Sequence, residues 1–259
     1  MSSSKKLIQA AAGSGGPFDV AYSALFQPSN SSMLSKTLST PTNNRIFTFS
    51  GWVKRNTTTN QDQLFASGTG DYNYAFLAIM GDPYFWYIDY NGSNTTSLRT
   101  YQRLSFNSTS VWYHFVVAVD TTQATTTNRV KIYFDGTQFT NWSPGTTSDI
   151  YPAQNYSPRL NSTIFHTIGR GATSYATSYA NAYYSEFCFI DGQQLAPTDF
   201  AESIDGVWTP KNLSGLSFGN NGFYLDFKDS GNMGADASGN GNNWATSGTI
   251  TQSTVTPTN

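Results

Sequence analysis

From about Val20 onward, large apolar side chains recur at every second position in short runs, and polar, glycine-containing breaks separate the runs. A period of two belongs to a strand, whereas an amphipathic helix repeats every three or four residues. The pattern predicts strands over 46–55, 74–80, 84–90, 112–120, 129–134, 165–169, 183–190 and 222–227. Asn91-Gly92, Asp135-Gly136 and Asp191-Gly192 are expected to close hairpins or reverse strands, because the second residue of each takes positive φ at low cost. One segment reads as helix, 196–203, one or two turns long, with Pro197 suited to a first turn and Asp199 favourable near the N-terminus. This density of strands predicts an all-β fold, two antiparallel sheets packed as a jelly-roll sandwich. Phe47, Phe49, Trp112, Phe115, Val117, Phe187 and Phe189 are expected in its interior or at its margins, and Trp52, Trp86 and Trp112 are expected in the core.

Three parts follow from the same pass: an arm over 1–19, the sandwich over 20–245 and an extended tail over 246–259. The arm ends in the flexible joint Gly13-Ser-Gly-Gly16. Its small apolar face, Leu7, Ile8, Ala11 and Ala12, is too little for an isolated helix but enough to order against a partner, so attachment is expected there. Lys5-Lys6 precedes an apolar stretch that Gln9 breaks and that is too short for a signal-peptide core, so the expectation is a retained N-terminus. No run of about 18 apolar residues is present to cross a bilayer as a helix.

Composition narrows the function. Charged residues make up 12% of the chain, half the roughly 25% of an average soluble domain, while aromatic residues reach 15%. A net charge of -2 offers nothing to a phosphate backbone or an anionic membrane, so neither nucleic acid nor membrane is expected as a partner. The lone Cys188 cannot form an internal disulfide, which points to synthesis in a reducing cytosol.

Catalytic chemistry is sparse. The two histidines, His114 and His166, each sit in a predicted strand and read as half-buried, hydrogen-bonded side chains rather than members of a triad. Glycoside hydrolysis needs two carboxylates about 5–9.5 Å apart, and no strand carries a Glu-x-Asp-x-x-Glu spacing around Glu186. No enzyme is expected. Calcium is open: Asp226, Asp229 and Asp236, with nearby Asn and Ser, could supply oxygen ligands or could simply form turns. Sugar recognition uses aromatic faces with amides and carboxylates, which singles out loop aromatics. Tyr175 and Tyr179, in the tandem Ala-Thr-Ser-Tyr repeat of 171–181, read either as a loop folded over the sandwich or as a ligand or subunit contact. Trp142 reads as a plug over one end of the core or as such a contact.

Phe47-Thr-Phe-Ser-Gly-Trp-Val-Lys-Arg55, Val111-Trp-Tyr-His-Phe-Val-Val-Ala-Val-Asp120 and Val130-Lys-Ile-Tyr-Phe-Asp-Gly136 come in that order, then Ile168-Gly-Arg170 and Tyr184-Ser-Glu-Phe-Cys-Phe-Ile-Asp-Gly192. This series, over about 22–245, resembles the laminin-G-like branch of the concanavalin A-like lectin/glucanase superfamily. Asp236-Ala-Ser-Gly-Asn-Gly-Asn-Asn-Trp244 resembles a hairpin that many members carry near their N-terminus. With Gly206-Val-Trp-Thr-Pro-Lys211 and Asn221-Gly-Phe-Tyr-Leu-Asp226, the series is similar to virion proteins of tailed bacteriophages. The resemblance implies adhesion or assembly, often with calcium at one rim, and no hydrolysis, since the glucanase carboxylates have no matching positions. It implies a capsid decoration, head fibre or tail fibre, made in the bacterial host cytoplasm, homo-oligomeric, docked on other virion proteins and gripping host-surface glycans. The alternatives are a cell-derived lectin or adhesin, or a glucanase-type hydrolase.

Overall fold

The computed structural model describes residues 18–81, 84–92, 96–103, 108–140, 150–173 and 178–259. Leu7, Ile8, Ala11, Ala12, Trp142 and Tyr175 lie outside the described residues. In chain order the strands are β1 Ser23–Phe26, β2 Met33–Thr37, β3 Ile46–Arg55, β4 Asp62–Gly70, β5 Asn73–Ile79, β6 Tyr84–Tyr90, β7 Thr96–Arg103, β8 Tyr113–Asp120, β9 Val130–Phe134, β10 Thr137–Gln138, β11 Phe165–Ile168, β12 Ala182–Asp191, β13 Ala201–Ile204, β14 Val207–Pro210, β15 Phe223–Leu225, β16 Ala245–Ser247 and β17 Thr251–Ser253. Eight form one antiparallel sheet, β10-β9-β8-β3-β12-β1-β17 with β15 beside β12; seven form the second, β16-β2-β11-β4-β5-β6-β7. β13 and β14 pair as a separate hairpin.

Alternation decides which side chains meet between the sheets. Phe47, Phe49, Phe115, Val117, Phe187 and Phe189 of the eight-stranded sheet are fully buried against Phe65, Leu77, Ile79, Phe85 and Tyr87 of the other. The rings of Phe49 and Phe65 stack at 5.7 Å, and those of Phe85 and Phe115 at 5.1 Å. Each such Phe contributes about 1.5–3 kcal/mol through burial.

β12 carries a bulge where its pairing with β3 jumps from Ser185–Trp52 to Cys188–Ser50. Glu186 takes a left-handed φ of 52° there, and the Phe187 ring is laid against Gly51. A Cβ on Gly51 would lie 2.7 Å from that ring. Gly51→Ala is therefore expected to displace Phe187 and lower stability by about 1–3 kcal/mol, read by urea unfolding.

The turn signals resolve differently. Asp135-Gly136, at φ 44° and 80°, closes β9 onto β10, and Asn91-Gly92 leads from β6 towards its partner β7. Asp191-Gly192 makes a corner instead: the Gly192 N–H donates to the Ile46 carbonyl. The buried Asp191 carboxylate accepts the N–H groups of Thr42, Asn43 and Asn221 and the Asn161 side-chain amide.

The helix expected over 196–203 is one 3-10 turn, Pro197–Asp199, in which the Asp199 carboxylate accepts the Ala196 N–H at 2.8 Å. Ala201–Ile204 is strand, turned back onto β14 by Asp205-Gly206 at φ 50° and 79°. That dipeptide is the same hairpin signal used elsewhere in the chain, and pairing with 207–210 outweighs a short helix tendency.

The outer faces of the two sheets differ. Chain between β12 and β15 covers the eight-stranded sheet: Phe200, Leu213 and Phe218 pack on Val116, Cys188, Ile190 and Tyr224, while Ala201 and Trp208 pack with Trp52 and Trp112. On the seven-stranded sheet, Ala66, Phe76, Ala78 and Ile88 lie among half-buried Tyr74, Met80, Trp86 and Tyr90. Among the described residues, Ala172 alone joins that cluster from a loop beyond β11.

Candidate functional site

The outer face of the seven-stranded sheet is an aromatic platform. Register sets Phe76 beside Ile88 and Ala78 beside Trp86, while Phe85 and Tyr87 of the same strand point into the core. The Tyr74 ring lies 6.0 Å from Phe76, nearly parallel, and 4.9 Å from Tyr90. Tyr72 adds a third phenol, 42% exposed and edge-on to Tyr90 at 6.3 Å, on a turn where its own φ is 54°. Rings of this kind offer an apolar face and a polar tip, the combination that takes the C–H face and the hydroxyls of a sugar. Trp86, expected in the core, is therefore only half-buried, whereas Trp52 and Trp112 are buried beneath the β13–β14 hairpin.

The platform is held from beneath. Asp89, wholly buried on the inner side of β6, accepts the Tyr156 hydroxyl at 2.9 Å and the Arg159 N–H at 2.8 Å. The Arg159 guanidinium reaches Asp89 and also the side-chain carbonyl of Asn73, which fixes the turn bearing Tyr72. Burial pushes the Asp89 carboxyl up to about 6, against the hydrogen bonds and charge that lower it. At the other end, the Arg170 guanidinium lies 5.2 Å over the Tyr179 ring, and Asn60 donates to the Tyr179 carbonyl. Tyr179 is thus half-buried and stapled, with Arg170 on one face.

The three aspartates do not converge. Asp226 pairs with Lys228 at 3.2 Å, Asp229 accepts the Gly231 N–H, and Asp236 accepts from Tyr224, Ser238 and Asn242. Among the described residues no group of three His, Cys, Asp or Glu could hold a metal ion. Local N–H donors take up carboxylate oxygens of all three.

Ser50 Oγ and His114 Nε2 are 2.9 Å apart, the first two members of a nucleophile relay. The third is reversed: Trp208 Nε1 donates to His114 Nδ1 at 3.0 Å. Nε2 must then carry the proton, so the ring donates to Ser50 and cannot take the serine's proton. Burial pushes His114 down to about 3. His166, buried and donating from Nδ1 to the Ile164 carbonyl, is pushed down to about 4.

A carboxylate pair does occur across strands, where spacing within one strand could not show it. Burial pushes Glu186 up to about 7, with a smaller contribution from the charge of Asp226 beyond β15. Glu186 is buried, however, and receives the Tyr224 hydroxyl, while Asp226 is paired with Lys228. Neither carboxylate presents itself to a glycosidic bond.

Two sheets packed over an aromatic core, with one outer face covered by the chain between β12 and β15 and the other bearing half-buried rings, define a lectin-type β-sandwich. The chain belongs to the concanavalin A-like lectin/glucanases superfamily, whose laminin G-like family matches residues 29–199. Among solved structures it is similar to a candidate carbohydrate-binding protein from Bacteroides ovatus, at TM-score 0.55 and 15% identity, over 92% of this chain and 61% of that one. The chain thus spans about three fifths of that protein's length. It is also similar to domains LG4-5 of the mouse laminin alpha1 chain (TM-score 0.46, 14% identity, 76% of this chain and 48% of that) and to a SAP-like pentraxin from Limulus polyphemus (0.44, 14%, 69% and 80%). At these identities the likeness speaks for the fold. No curated protein sequence matches the chain. The comparisons lend no support to a phage origin.

Proposed function

We propose that the protein is a non-enzymatic carbohydrate-binding module whose glycan lies on the outer face of the seven-stranded sheet. The observation that carries this reading is the cluster of exposed Tyr72 with half-buried Tyr74, Trp86 and Tyr90 on one sheet face. The candidate carbohydrate-binding protein from Bacteroides ovatus lends it support at the level of fold. The glucanase alternative is weakened by the burial of Glu186 and the pairing of Asp226 with Lys228.

A glycan array probed with the labelled protein is expected to give a restricted set of hits. Trp86→Ala is expected to weaken those hits about tenfold, or about 1.4 kcal/mol, with the melting temperature little changed because Trp86 is only half-buried. Unaltered hits in the variant, or an empty array, would count against the platform. A place on a virion rests on the motif series of the sequence alone; mass spectrometry of purified phage particles is its test.

A further inference from the structure

A second cleft lies at the β10 end of the eight-stranded sheet, with a volume of about 310 Å³. Its apolar walls are Phe139, Tyr151 and Val130, and its polar groups include Asn128, Gln138 and Thr127. Arg129 fixes the walls against each other: its guanidinium donates to the carbonyls of Gln123 and Ala124 on one side and Pro152 on the other, at 2.9, 3.1 and 3.0 Å. The Phe139 N–H donates to Ile132, and Ile150 is paired with Arg99 of β7, so both aromatic walls are tied to strands. By contrast, the side-chain amides of Asn128 and Gln138 are exposed. Among the described residues they make no hydrogen bond within the fold.

We propose that this cleft holds one neutral sugar ring, with Phe139 and Tyr151 against its C–H surfaces and the two amides on its hydroxyls. The volume is at the small end of the roughly 300–1,000 Å³ typical of ligand sites, which suits one ring rather than a chain. Among the described residues no Lys, Arg, Asp or Glu lines the cleft, and the nearby Arg129 guanidinium is taken up by three carbonyls, so a sugar acid would find no direct ion pair there. The proposal shares a ligand class with the platform reading and involves different residues.

The test uses methyl glycosides of glucose, galactose, mannose and N-acetylglucosamine, with glucuronate as the charged comparison, followed by saturation-transfer NMR on the whole chain. At least one neutral glycoside is expected to bind with a dissociation constant on the order of 1–10 mM, and glucuronate at least tenfold more weakly. Binding is expected to survive Trp86→Ala, which impairs the platform, and to be lost when Asn128→Ala and Gln138→Ala are added to it. The added pair should leave the melting temperature unchanged, since among the described residues neither amide bonds to the fold. The proposal is overturned if no neutral glycoside binds, or if binding survives the triple variant. Binding lost already in Trp86→Ala would overturn the cleft and leave the platform standing; binding kept in Trp86→Ala and lost in the triple variant would keep the cleft.

Discussion

Asp191→Ala is expected to cost about 4–6 kcal/mol, enough to leave a domain of ordinary stability largely unfolded at 37 °C. Its carboxylate accepts from Thr42 and Asn221 through one oxygen and from Asn43 and Asn161 through the other. Asn161 and Asn221 are themselves fully buried, and they bond each other and the chain at Ser39 and Asn43. Removing the acceptor leaves four donors facing a dry void, and each unsatisfied donor costs about 1–3 kcal/mol before relaxation. Asp191→Asn would turn an amide N–H₂ towards other donors and should also be severe. Urea unfolding measures both; a loss under about 2 kcal/mol for the alanine variant would show that water enters the corner.

The second large effect is a pH dependence at Glu186. Its folded-state value is raised from 4.5 to about 7, chiefly by burial. The sign follows from linkage: the folded protein holds the proton more tightly, so the contribution is full below 4.5 and is lost as pH rises through 7. The loss amounts to about 3 kcal/mol. The groups facing Glu186 are Tyr224, Asp226, Cys188 and Lys228. His114 and His166, lowered to about 3 and 4, act in the opposite sense: their contribution is present above 6.5 and lost as pH falls. A direct profile would therefore mix these groups, and Glu186→Gln separates them. Relative to the native chain, the Gln variant should gain about 3 kcal/mol between pH 5 and pH 8, because both proteins share every other group. Parallel stability curves would mean that the carboxyl is solvated.

The strands that announced themselves were the long runs of aromatic and β-branched residues. β3 and β6 fall on their sequence-derived bounds, and β8 and β12 within a residue or so. β4 gave little signal because Asp62-Gln-Leu-Phe-Ala-Ser-Gly-Thr-Gly70 is buried along most of its length by small and polar residues, with Asp62 paired to Arg55 at 2.9 Å. β7, polar along Thr96–Arg103, gave less.

The platform was hidden for another reason. β6 reads Tyr-Phe-Trp-Tyr-Ile-Asp-Tyr, apolar in both phases, so its pattern identifies a strand but not which phase faces inward. Trp52 and Trp112 lie on one outer face and Trp86 on the other; the path of the chain from β12 to β15 covers the first of these. That path is a long-range property no local window contains. Likewise, the pairing of β12 with β15 brings Asp226 within electrostatic reach of Glu186, across 40 residues of sequence.

Assignment of the six indole signals in a proton–nitrogen correlation spectrum allows the most direct test, a titration with an oligosaccharide chosen from the array. The account predicts that the Trp86 indole moves in step with binding, together with backbone signals of Tyr74 and Tyr90, while those of the buried Trp52 and Trp112 stay in place. Saturable binding with a silent Trp86 indole would contradict it and place the glycan elsewhere on the sandwich.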